Sequence, residues 1–185
     1  AEIGTRKVIA EHATIGIVIT TDGTITDLPR EAYPEAEGRV IEELKALGKP
    51  FLILLNSAHP QGEAAQKLRA KLAEQYDVTC LAVSCLDLDQ QAVTEIIQAV
   101  LYEFPLEELQ LFLPDWVETL PTEHPIRTAL FQAIRAQAGK LVRIRDVKPA
   151  VAAMGQCELV TGASVTGMKL GSGCCQARLE LPRSL

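Results

Sequence analysis

The sequence predicts an α/β fold: a parallel sheet covered by helices over residues 1–106, followed by a smaller α+β segment over residues 107–185. Three observations carry that prediction. Phe51-Leu52-Ile53-Leu54-Leu55 is an unalternated apolar run of strand length, the pattern of a strand buried on both faces. Residues 15–20 and 78–83 repeat it, and helical periodicity separates the three runs, an order that calls for right-handed crossovers and parallel pairing. From Cys157 onward the chain turns rich in Gly, Ser and Thr with short alternating runs, as in an antiparallel hairpin or meander with one face to water.

Taken in order, residues 2–11 carry Ile3, Val8 and Ile9 as the stripe of a short helix. The strand at 15–20 runs into Thr21-Asp22-Gly23, where Asp-Gly marks a turn, and a polar loop holding Pro29 and Pro34 follows. A helix from about residue 35 places Val40, Ile41, Leu44 and Leu47 on one face and stops at Gly48. The strand at 51–55 ends in the polar turn Asn56-Ser57-Ala58-His59-Pro60. Ala65, Leu68 and Leu72 line the next helix. The strand at 78–83 leads into Ser84-Cys85, and Asp87 or Asp89 caps a helix whose buried line is Val93, Ile96, Ile97, Val100 and Leu101.

In the second segment, Leu109, Leu111 and Leu113 predict a short strand stopped by Pro114, with Trp116 and Val117 packing across the domain boundary. Ile126, Leu130, Phe131 and Ile134 line a helix ending near Gly139. Alternation at 141–145 predicts another strand, and 147–154 a helix with Pro149 in its first turn. Arg178 and Glu180 alternate with Ala177, Leu179 and Leu181 and are expected to face water.

A formal net charge of -6 argues against broad binding to nucleic acid or anionic membranes. Five cysteines form no repeated spacing, and no histidine lies near Cys174-Cys175, so free thiols of a reducing cytosol are expected and no metal site. The chain opens Ala1-Glu2-Ile3-Gly4 without Met and without signal-peptide features, and reads as a piece of something longer. The strand at 15–20, the one expected at the centre of a larger sheet, is left at an edge with unmet backbone groups. The first part therefore reads as the carboxyl-terminal half of a doubly wound domain, with its upstream half or another chain expected on that edge.

The elements from Ala1 to Leu101 resemble the second half of a P-loop GTPase domain of the translation-factor-related class. Such domains carry Asn-Lys-x-Asp after this strand, the Asp reading the guanine edge and the Lys stem covering the base. Here the turn is Asn56-Ser57-Ala58-His59. A Ser cannot cover a ring, and neutral His59 offers one donor in place of two carboxylate acceptors, so guanine selectivity is expected to be lost. The match tightens over 14–23 (Thr-Ile-Gly-Ile-Val-Ile-Thr-Thr-Asp-Gly), 37–44, 55–60, 100–105, Ile144-Arg145-Asp146-Val147 and 167–173. Together these resemble the stage IV sporulation protein A family, the spore-coat morphogenetic ATPases of endospore-forming bacteria, along essentially the whole chain.

That resemblance implies part of an ATP-hydrolysing, self-assembling structural protein of the coat basement layer. It implies a cytoplasmic location in the mother cell, at the forespore outer membrane surface. A small amphipathic membrane-anchoring protein and other coat proteins are the implied partners, and ATP with Mg2+ the implied ligands of the full-length protein. The family's Walker A loop and magnesium-associated Asp belong upstream, and no Gly-x-x-x-x-Gly-Lys-Ser/Thr occurs in these 185 residues. This chain alone is therefore expected to hydrolyse no ATP and to hold no nucleotide tightly.

By the same resemblance Thr20 or Thr21 occupies the sensor threonine position, where a hydroxyl meets the γ-phosphate or the attacking water. A Thr pair satisfying a strand end is the plainer reading. Asn56, Ser57 and His59 are candidates for base-side contact against simple turn chemistry, with Ser84 and Cys85 as the far wall. Asp22 either orients this turn or caps its own loop. Cys85 has no neighbouring base in sequence that would make it a nucleophile. Lys140, Arg143, Arg145 and Lys148 either meet an acidic neighbour or lie along a solvated edge. A non-catalytic interaction module on an NTPase-like scaffold is the alternative function. A flavodoxin-like cofactor enzyme is disfavoured, because the loop at 24–34 offers no phosphate cradle.

Overall fold

The computed structural model describes residues 11–182, so the helix expected at 2–11 lies almost wholly outside the described residues. The chain divides into two compact units, residues 1–103 and 104–185. The first holds strand β1 (Gly16–Thr21), helix α1 (Pro34–Ala46), β2 (Phe51–Asn56), α2 (Glu63–Tyr76), β3 (Cys80–Val83) and α3 (Gln90–Tyr102). All pairing is parallel, in the order β1-β2-β3, with Gly16 opposite Phe51 and Asn56 opposite Val83. The expected three-stranded parallel α/β sheet is what forms, with β1 at its edge.

Helices cover the two faces unequally. On one face Ile41 and Leu44 of α1 and Leu72 and Tyr76 of α2 pack on Val18, Phe51, Ile53, Leu55 and Cys80. On the other, Ile96 of α3 meets Leu52 and Leu54. Phe51 through Leu55 are buried on both sides, as their unbroken run requires. β1 departs from the expectation of double burial: Ile17 and Ile19 are 47% and 64% exposed, because α3 covers β2 and stops short of β1. Val93 and Ile97 of α3, expected in its buried line, are also exposed, and so is Val40 of α1. Asp89 caps α3 by accepting from the Ala92 amide. At the other end of α3 the buried Glu103 carboxylate accepts from the backbone and hydroxyl of Thr79, tying the helix end to the start of β3.

The second unit carries β4 (Glu108–Phe112), the short helix α4 (Trp116–Thr119), α5 (Pro125–Ala138), α6 (Val147–Met154), β5 (Gly162–Lys169) and β6 (Cys174–Glu180). Its sheet runs β4-β6-β5, with β5 and β6 an antiparallel hairpin and β4 parallel to β6. Val117, Leu130, Met154, Val160, Leu179 and Leu181 form the core, and Trp116 packs against it. Arg178 and Glu180 face water. Gly173 has φ +66, and a Cβ there would sit 2.9 Å from the Pro105 carbonyl oxygen, so only glycine fits this turn.

The strand expected at 141–145 does not form. The Asp146 carboxylate accepts from the Val142 and Arg143 amides, which bends the chain into a single 3-10 turn, Ile144–Asp146, and leaves one bridge between Arg143 and Pro105. The reading of the basic run as a strand edge falls with it. Pro149 does sit in the first turn of α6.

The unequal burial of β1 and β2 gives a paired test. Leu55→Ala should lower the unfolding free energy by about 2–5 kcal/mol in urea titration. Ile19→Thr should change it by no more than about 0.5 kcal/mol.

Candidate functional site

The carboxyl ends of β1, β2 and β3 emerge side by side, and each leads into a polar turn. Hydrogen bonds lace the three turns into one rim. The Asn56 side-chain oxygen accepts from the Cys85 amide at 2.9 Å, joining the turn after β2 to the turn after β3. The Ala58 amide donates to Thr24 Oγ1 at 2.9 Å, joining it to the turn after β1. Ser84 donates to Asp87, and Gly62 donates to the His59 carbonyl, closing the outer turns.

Each candidate takes a definite place. His59 is exposed at the rim, and Asn56, Ser84 and Cys85 are half-buried along it. Ser57 is fully buried, and its hydroxyl accepts from the His59 amide. Thr20 and Thr21 are both 5% exposed. Thr20 Oγ1 accepts from Arg30 at 2.9 Å, whereas Thr21 Oγ1 accepts from the Gly23 amide at 3.0 Å. Gly23 adopts φ +88, and a Cβ there would lie 3.0 Å from the Arg30 backbone nitrogen, so the turn requires glycine.

Beneath the rim lies a buried ion pair that the sequence reading missed. Arg30 meets both carboxylate oxygens of Glu37, at 2.7 and 3.0 Å, and also reaches the Thr21 carbonyl at 3.3 Å. Their side chains are 18% and 3% exposed, and the Tyr76 hydroxyl donates to Glu37 at 3.4 Å. A sequence signal for it existed: Glu37 lies four residues before Ile41 and seven before Leu44, on the apolar stripe of α1. A carboxylate in such a stripe needs a cation, and Arg30 is the partner. Burial opposes ionisation of Glu37, but hydrogen bonds from Arg30 and Thr20 and the Arg30 charge outweigh it and hold the carboxyl below its ordinary 4.5. Burial likewise opposes ionisation of Asp22, and hydrogen bonds from Ser57 and Thr24 bring it below 3.8.

All five cysteines are free, and burial pushes the Cys80 thiol up to about 11. Among the described residues no group of three or more His, Cys, Asp or Glu is placed to hold a metal ion. Among them, too, no helix is long and apolar enough to cross a membrane.

The first unit is thus an open parallel α/β domain with a polar rim at the carboxyl ends of its strands, the class in which ligands seat at that rim. The chain belongs to the stage IV sporulation protein A family: residues 1–105 match the family's ATPase domain and residues 106–185 its middle domain. It is 42% identical to stage IV sporulation protein A of Bacillus subtilis (strain 168) and of Bacillus anthracis, and 38% identical to that of Clostridioides difficile (strain 630). Each match covers 100% of this chain and 38% of the relative's length. No solved structure gives a significant match.

Two measurements check the buried pair. Glu37→Gln should lower the unfolding free energy at neutral pH by about 1.5–3 kcal/mol, the worth of hydrogen bonds to a charged group. Because the folded carboxyls of Glu37 and Asp22 titrate below their unfolded values, their contribution is complete above about pH 4.5 and is lost as pH falls through the folded values. Urea titrations from pH 7 to pH 3 should show that decline, and Glu37→Gln should flatten it.

Proposed function

We propose that this chain contributes the base-side half of an ATPase domain, together with a middle domain, to a self-assembling structural protein of the bacterial spore coat. The observation that carries this reading is the laced rim of three parallel strand ends in a chain of the stage IV sporulation protein A family. The rest of the longer protein supplies the phosphate-binding half, which pairs with the open edge of β1 and covers Ile17 and Ile19. Their exposure supports this, since an uncovered apolar face on an edge strand is a surface built for a partner layer.

On this reading Asn56, His59, Ser84 and Cys85 line the base side, with Ser57 acting from beneath. Of the two sensor candidates we favour Thr21, because the Thr20 hydroxyl lies against the Arg30 guanidinium of the buried ion pair, whereas the Thr21 hydroxyl accepts from the Gly23 amide of its own turn. His59 in place of a base-reading acid favours ATP over GTP. ATP and Mg2+ are ligands of the whole protein, and this chain alone is inactive. The protein works in the mother-cell cytoplasm at the forespore outer membrane surface. There it polymerises, with a small amphipathic anchoring protein and other coat proteins as partners.

Titrating ATP–magnesium into this chain should give no saturable binding and no phosphate release. The chain extended at its amino terminus to include the phosphate-binding half should bind saturably and hydrolyse. Silence from both would overturn the reading in favour of a protein-binding module that keeps the scaffold without the chemistry.

A further inference from the structure

One carboxylate reaches a backbone amide of the neighbouring turn through a hydroxyl relay. The Ala58 amide donates to Thr24 Oγ1 at 2.9 Å, and the Thr24 hydroxyl donates its single proton to Asp22 Oδ1 at 2.6 Å. The next amide, that of His59, donates to the Ser57 hydroxyl at 3.0 Å within its own turn. The Thr24 amide closes the set on Asp22 Oδ1 at 3.0 Å. The polarity of the relay is fixed. A carboxylate only accepts, so the Thr24 hydroxyl proton points at Asp22 and its oxygen is left to the Ala58 amide. The negative charge polarises that O–H and makes its oxygen a stronger acceptor. The amide it holds belongs to the turn that presents His59.

We propose that Asp22 and Thr24 are positioning residues for nucleotide binding, which fix the backbone at 58 and so set where His59 stands against the base. This rests on the ATPase reading above. Neither residue touches the nucleotide; both act through the turn.

The test uses the longer protein carrying both halves of the domain, with wild type, Thr24→Val, Thr24→Ser and Asp22→Asn compared in steady-state ATP hydrolysis and thermal unfolding. Thr24→Val and Asp22→Asn should raise KM for ATP about fivefold or more and leave kcat within about twofold, the mark of lost binding rather than lost chemistry. Thr24→Ser keeps the hydroxyl and should retain the wild-type KM. An unchanged KM in both impaired variants would overturn the proposal, and so would a Thr24→Ser variant as weak as Thr24→Val. If Thr24→Val does not fold, Asp22→Asn set against Thr24→Ser decides the same question. A wild-type protein that hydrolyses no ATP would instead remove the functional reading, and this inference with it.

Discussion

Leu52 through Leu55 have no side that can meet water, and the first unit is arranged around that constraint. A strand apolar on both faces must be covered on both faces, which calls for helices above and below and for parallel neighbours joined by crossovers. Parallel pairing aligns the strand directions, so all three carboxyl ends open at one rim. The burial of one strand thus fixes where the polar turns gather. Ile17 and Ile19 show where the covering stops.

The rim is held from beneath as much as from its own turns. Arg30 is bound to Glu37 through two nitrogens and reaches both the hydroxyl of Thr20 and the carbonyl of Thr21. It therefore locks the end of β1 to the first turn of α1. Breaking such a pair leaves a charge stranded in an apolar layer, which costs far more than a surface ion pair contributes. Asn56 performs the matching task on the other side, where its side-chain oxygen stands in for a backbone partner of Cys85. A site built of turns acquires rigidity this way, from side chains that span elements.

The second unit solves a different problem. Its sheet mixes a hairpin with a parallel strand, and only one face is buried, against α5 and α6, which matches the alternation in β6. Polar residues such as Gln110, Gln176 and Arg178 occupy the exposed side, where Gln176 donates to Gln110 across the pair β4–β6. That face keeps β4 in register with β6 although the two strands are far apart in sequence.

What the sequence by itself determined was whatever rests on local periodicity: the doubly buried run at 51–55, the stripes of α1 and α2, the hairpin of β5 and β6, and the polar turn that follows β2. Alternation misled at 141–145, because Asp146 offers the backbone a competing set of hydrogen bonds that no hydrophobic pattern records. Burial of Val93, Ile97 and Ile17 was misjudged because apolar side chains mark a face without saying whether anything in the chain covers it. Only the tertiary structure decided that Ser57 lies beneath the rim, that Arg30 pairs with Glu37, and that Thr24 meets the amide of Ala58. These contacts join residues from seven to thirty-four positions apart, and their geometry depends on how neighbouring turns are placed once the sheet has formed.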